Sequence, residues 1–312
     1  MRILLMIEGQ EGVAWDDWVA LARACENSGL DGLFRSDHYA STTSYPTESL
    51  DAWATLSALA ALTERIRLGT LVSPATFRHP SELAKVAATV DHVSGGRVEL
   101  GLGAGWMDLE HGAFGFPFPP MAERLEVFAE QLEIVKRQWT EDAFDFDGHH
   151  YRLEDCRALP KPLQRPHPRL LVGGRGTRGT VEPAARFADE YNTFYFDAEG
   201  CRRVRSTLDE ACERAGRDPA SLPLSLMTGV VVASDGATLE RRASRLGELT
   251  GADSWRDLVD RPELLVGTTD EVADRLRELE AAGVTRLMCQ HLAHDDLETI
   301  ETVGRELQPA VA

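Results

Sequence analysis

The chain lacks most of what would mark a membrane, secreted or nucleic-acid-binding protein. No apolar run approaches the roughly 18 residues that a membrane helix needs. The opening MRILLMIEGQ is too short an apolar stretch and carries no cleavage site, so it reads as a first strand and not a signal peptide. Positive charge is scarce: 33 Lys and Arg stand against 51 Asp and Glu, a net charge of −18. That balance disfavours a nucleic-acid surface and suits a cytoplasmic enzyme with small-molecule partners. Cysteine is sparse, odd in number and scattered, at Cys25, Cys156, Cys201, Cys212 and Cys289, with no CxxC. Reduced thiols are therefore expected and a metal site is not. No sequence repeat is visible.

What is present is a regular alternation of short apolar runs and amphipathic stretches. Strands are expected at 3–7, 32–35, 66–71, 98–102, 170–172, 190–196, 222–232 and 285–290. Helices are expected at 15–27, 50–62, 81–92, 123–139, 203–215, 268–282 and 296–307. Pro80 suits a first helical turn, Gly95 a helix end, and Thr268 with Glu271 a capping box. Residues 236–265 are less periodic, with one short helix expected around Trp255. Eight strands alternating with helices favour a closed α/β barrel, (β/α)8, forming a single domain over 1–312. An insertion at about 141–167 interrupts it, with a β-hairpin around Asp147-Gly148 and a proline-rich return.

In such barrels the chemistry sits at the carboxyl ends of the strands. Strand two ends in Ser36-Asp37-His38-Tyr39, and His38 is the best candidate for a catalytic group, because an imidazole exchanges protons near neutral pH. Asp37 could orient it or accept from a cofactor. Strand four ends in Gly103-Ala104-Gly105-Trp106. Glycines there let backbone lie against a planar ligand. The run is not a dinucleotide fingerprint, since the third glycine is missing and no helix obviously follows. Strand five ends in Gly173-Gly174-Arg175-Gly176-Thr177-Arg178, a candidate phosphate cradle of backbone N–H groups with added positive charge. Asn192, Tyr195, Gln290 and His291 mark strand ends six and eight. Adjacent His149 and His150 are not the same-face pair that a helix offers a metal, and read as solvent-facing.

The order and spacing of DGLFRSDHY, the stretch 66–106, PRLLVGGRG, AARFADEYN and VGTTDEVADRLRELEAAGV resemble the bacterial luciferase-like monooxygenase superfamily, in its actinobacterial deazaflavin-dependent branch. The resemblance covers nearly the whole chain. It implies a TIM-barrel oxidoreductase using coenzyme F420, with His38 facing the ring or substrate. It places Asp37, Leu71, Val72, Gly103, Ala104, Gly105, Trp106, Gly173, Gly174, Arg175 and Gly176 at the cofactor. Leu71-Val72 matches the family's non-proline cis peptide. It further implies a homodimer, with helices two and three in contact, and a separate flavin or F420 reductase as possible partner. Arg78, Arg175 and Arg178 could neutralise the coenzyme's acidic tail. One departure is notable: sugar-phosphate dehydrogenases of the family have a glutamate where this chain has Trp106, which speaks against a sugar-phosphate substrate. Glu110 lies nearby in sequence.

Three other readings remain open on sequence grounds: an FMN-dependent two-component monooxygenase, a flavin-binding protein without turnover, and a metal-dependent barrel hydrolase. The last lacks an HxH or comparable ligand pair.

Overall fold

The computed structural model describes residues 1–41, 46–252 and 254–312. Eight parallel strands form a closed ring: β1 (Arg2–Ile7), β2 (Gly32–Arg35), β3 (Arg67–Thr70), β4 (Val98–Gly103), β5 (Arg169–Gly173), β6 (Glu190–Phe194), β7 (Leu224–Ala233) and β8 (Val284–Gln290). Each pairs with its neighbours in chain order, and β8 closes on β1 with Arg2 opposite Arg286 and Met6 opposite Gln290. All eight lie where the apolar runs predicted them.

The pleat divides each strand between two cores. Ile3, Leu5 and Ile7 join the large core under the helices, whereas Leu4 and Met6 point inward. Phe34, Leu71, Leu171 and Met288 complete the inner layer, and Val72 and Met227 lie on it, partly exposed. The helices are α1 (Trp15–Ser28), α2 (Ala52–Leu62), α3 (Pro80–Ser94), α4 (Asp108–Phe114), α5 (Met121–Thr140), α6 (Arg178–Phe187), α7 (Ala198–Arg214), α8 (Gly236–Thr250), α9 (Trp255–Val259), α10 (Thr269–Ala281) and α11 (Leu297–Thr302). Pro80 opens α3, Gly95 ends it at φ +67°, and the Thr268–Glu271 capping box opens α10, all as expected. None of the described helices is long and apolar enough to cross a membrane. All five cysteines are free thiols.

Four features depart from the sequence reading. A fifteen-residue helix, α8, occupies the stretch read as irregular, opened by Asp235, which accepts from Ala237 and Thr238 N–H. Its buried face is Arg242, Ala243, Leu246 and Gly247, with a single large apolar side chain; the Arg242 guanidinium is paired with Asp296 at 3.0 Å. A short ninth strand, Leu265–Thr268, pairs with the end of β7. The hairpin of Phe144–Asp147 and Arg152–Cys156 turns through 148–151, not at Asp147-Gly148, and Gly148 N–H closes it on Tyr151 O at 2.9 Å. Finally, a helix does follow the glycine run of β4: α4 begins two residues after Trp106.

The amino end of the barrel is plugged by charge. Arg286 Nη1 donates to Glu99 at 3.0 Å and Glu190 at 2.6 Å, Arg67 pairs with Glu99, and Arg169 with Glu190 at 2.8 Å. The cavity of about 350 Å³ beside these side chains lies at the strands' amino ends, away from any strand-end chemistry. Removing one partner of a buried network strands the others, at a cost of about 3–5 kcal/mol. Arg286→Ala should therefore lower unfolding free energy by that amount in a urea titration, with the whole chain still unfolding in one transition. A loss below about 1 kcal/mol would mean that these charges contribute no more than solvated surface pairs.

Candidate active site

The carboxyl ends of the strands bring three groups of side chains together. The first is organised by α4. Glu110 is fully buried, and its two oxygens hold the end of β2: His38 Nδ1–H donates to Oε1 at 2.7 Å, and Tyr39 N–H donates to Oε2 at 3.0 Å. With Nδ1 committed to the carboxylate, Nε2 is the atom of His38 free to gain or lose a proton. Burial alone would lower the pKa of His38. The hydrogen bond and charge of Glu110, helped by Glu8 and Asp37, outweigh it, and the net shift is upward. The imidazole stands edge-on to Trp106, with centroids 5.6 Å apart, and Trp106 itself is 62% exposed.

The second group is a polar chain along the opposite strand ends. Tyr195 hydroxyl donates to Gln290 Oε1, and Gln290 Nε2 donates to Glu8 Oε1 at 2.7 Å. Gln10 Nε2 donates to Glu8 Oε2 at 3.0 Å, and Ser36 hydroxyl donates to Gln10 Oε1. Burial, reinforced by the charge of Glu8 and opposed by the bond to Gln290, pushes Tyr195 up to about 12, so it stays a neutral donor. Its backbone sits at φ +52°, a left-handed conformation uncommon for a non-glycine residue and concentrated at functional sites. Sequence reasoning found Tyr195 and Gln290 only as strand ends and missed Glu8 and Gln10; their position just after β1 was the available signal.

The third group is apolar. The Leu71-Val72 peptide is cis. A Cβ at Gly101, Gly103 or Gly173 would come within 2.7–3.0 Å of the Val72 side chain. These glycines therefore make room for Val72. Gly105 is the exception, turning the chain at φ +79°.

The Luciferase-like monooxygenase family model matches residues 2–286. The chain belongs to the luciferase-like monooxygenase family. It is 28% identical to an FMNH2-dependent dimethylsulfone monooxygenase from Pseudomonas putida, over 99% of this chain and 92% of that one. An uncharacterised Mycobacterium tuberculosis protein is 34% identical over 77% of each chain. Among solved structures, the monooxygenase RslO1 of Streptomyces bottropensis superposes with a TM-score of 0.84 at 26% identity, covering 100% of both chains. An F420-dependent secondary alcohol dehydrogenase reaches 0.83 at 20% identity, covering 100% of this chain and 99% of that one, and shares the fold. The chain is thus an oxidoreductase on a luciferase-like barrel.

Within that family frame, several expected contacts change. The Asp37 carboxylate is 1% exposed and turned to protein, accepting from Ser73 Oγ and Arg78 Nη1, each at 2.6 Å. Arg78 also pairs with Asp51 at 2.7 Å, and Arg178 with Glu182 at 2.7 Å. Of the three arginines expected to meet an acidic tail, only Arg175 has no carboxylate partner among the described residues; its exposed guanidinium lies over Phe194 and Phe196. The Gly173–Gly176 loop is likewise less open than a cradle of free N–H groups. Gly174 N–H donates to Asn192 O at 3.0 Å and Gly176 N–H to Tyr191 hydroxyl at 2.9 Å. A Cβ at Gly174 would stand 2.4 Å from that hydroxyl, so this glycine is required by the fold itself. The opening left for an anion is the start of α6, where Thr177 makes no side-chain cap. His291 is buried against Asp296 O, its pKa lowered by burial, and serves the scaffold. Asn192 is buried and donates to Ser225 Oγ.

The upward shift of His38 makes stability depend on pH. Its unfolded value is near 6.5, so the stabilisation is complete below that pH and is lost as pH rises through the higher folded value. Glu110→Gln removes the charge responsible. The stability advantage of wild type over Glu110→Gln should therefore shrink in denaturant titrations as pH rises above about 6.5. An advantage that stays constant across that range would show that the pair carries no titrating charge.

Proposed function

We propose that the protein is an F420-dependent oxidoreductase acting on a small organic substrate, with His38 and Glu110 as its proton-handling pair. The observation that carries this reading is a buried carboxylate fixing one imidazole nitrogen at a strand end, with its pKa raised, beside an apolar floor. The deazaflavin supplies or accepts a hydride at C5 of its ring. Transfer of a hydride to or from a carbonyl or alcohol also requires a proton, and His38 exchanges it at Nε2. Glu110 stabilises the imidazolium when it forms and keeps the ring from turning. Val72 and Met227, with Leu71, Ala104 and Trp106 near them, offer the apolar surface that a planar ring needs. The polar chain from Tyr195 through Gln290 to Glu8 supplies fixed donors and acceptors opposite. Arg175 and the uncapped start of α6, at Arg178 and Gly179, suit one phosphate. Two copies would pair through α2 and α3, where Leu62 and Val93 are 59% and 48% exposed.

A second reading has its own support. Reduced FMN with oxygen would need only one phosphate site and a separate reductase. The commitment of Arg78 and Arg178 to carboxylates leaves little free charge for a long acidic tail. The Pseudomonas relative is named for FMNH2.

Fluorescence titration of the purified protein with F420 and with FMN separates the two. Tighter binding of F420, with turnover unaffected by removal of oxygen, is the expected result; binding of FMN alone would transfer the assignment to the monooxygenase. In the same assay His38→Ala should lower turnover roughly 10²–10⁴-fold at saturating cofactor and leave cofactor affinity nearly intact. Unchanged turnover would make His38 a scaffold residue, and binding with no turnover on any substrate would favour a carrier.

A further inference from the structure

We propose that the tip of the inserted hairpin and helix α5 together form a binding site for a divalent transition-metal ion of the zinc class, with Glu126, His149 and His150 as ligands. The site lies apart from the strand-end chemistry.

The arrangement begins with Glu130 on α5. Its carboxylate accepts three successive backbone N–H groups of the hairpin turn: His149 at 2.6 Å, His150 at 3.0 Å and Tyr151 at 3.1 Å. Gly148 is needed there, since a Cβ would stand 2.5 Å from a Glu130 oxygen. The turn is thus clamped to the helix. Glu126 lies one helical turn before Glu130, on the same face. In an extended strand two consecutive histidines would point to opposite sides. In this clamped turn both come to Glu126: His149 Nδ1 is 3.4 Å and His150 Nε2 3.2 Å from the same oxygen, Oε2. The two rings are 4.7 Å apart, and all three ligand atoms lie within 4.8 Å of one another.

The two spacings to Glu126 are the ones a metal requires, and the third is within 4.8 Å. Ligands at about 2.0–2.1 Å from a tetrahedral centre are about 3.3 Å from each other. Two imidazoles and one carboxylate are the donor set favoured by zinc and its neighbours and disfavoured by magnesium, which prefers oxygen alone. The exposure of His149 (81%) and Glu126 (57%) gives an ion entry and leaves water to complete its shell. His150 is mostly buried, with a side chain 16% exposed, so the sequence reading of both histidines as solvent-facing fails for it. A bound ion would staple the insertion to α5. Tyr151, the next residue, already accepts from Gln131 at 2.8 Å, and Gln131 also donates to Ala75 O and Arg78 O.

The test is calorimetric titration of the untagged full-length protein with zinc chloride and with magnesium chloride, in wild type and in a Cys156→Ser background that removes the one thiol not fully buried. One equivalent of zinc should bind in both backgrounds, and magnesium should not compete. Losing a residue that merely supports a ligand weakens metal binding about 10–100-fold, so loss of a ligand should cost at least that. His149→Ala, His150→Ala and Glu126→Ala should each do so, whereas His92→Ala should not. Zinc should also slow proteolytic cleavage at the hairpin in wild type and not in the His149→Ala variant. No saturable zinc binding, or binding unchanged in a His149→Ala/His150→Ala double variant, would overturn the proposal.

Discussion

The Glu110 carboxylate holds the strand-end chemistry in place. A fully buried carboxylate is tolerated only when its oxygens are satisfied, and here both are, by the imidazole of His38 and the N–H of Tyr39. The two bonds join α4 to the end of β2. They fix the tautomer of His38, raise its pKa against the cost of burial, and hold its ring against Trp106. Tyr39 in turn donates to Asp51 and lies among Phe77, Phe114 and Phe116, so the same contact orders an aromatic wall at the edge of the site.

Charge in this part of the molecule is spent internally. Asp37 and Asp51 share Arg78, Glu182 takes Arg178, and the inner base of the barrel absorbs Arg67, Arg169 and Arg286 with Glu99 and Glu190. What faces the strand ends is apolar at Val72, Met227 and Trp106, and polar along the chain from Tyr195 to Ser36, whose amides converge on the Glu8 carboxylate.

The barrel was legible because its strands are short apolar runs, two of them (β4 and β5) ended by glycine, and its helices carry explicit caps at Pro80, Gly95, and Thr268 with Glu271. Helix α8 was obscured because its buried face uses a neutralised arginine, Arg242, where periodicity looks for an apolar residue. Helix α4 was obscured for a related reason: its buried residues are Glu110 and His111, whose burial makes sense only once their partners are in place. His38 could be found from its position at a strand end. Its partner, 72 residues away, could not. The glycines of β4 and β5 were visible, but the side chain they accommodate, Val72, was not, since that depends on three strands meeting. The turn at 148–151 begins at Gly148 but is centred beyond the Asp147-Gly148 dipeptide, where Glu130 on another element clamps it.

Proton exchange at the strand ends requires the His38–Glu110 pair to be ionic in the folded protein. The most direct measurement is a pH titration of the His38 ring signals by NMR, in wild type and in Glu110→Gln. An ionic pair gives a wild-type pKa above the ordinary value of about 6.5 and a clear fall in the variant. A wild-type value at or below that, unmoved by Glu110→Gln, would contradict it.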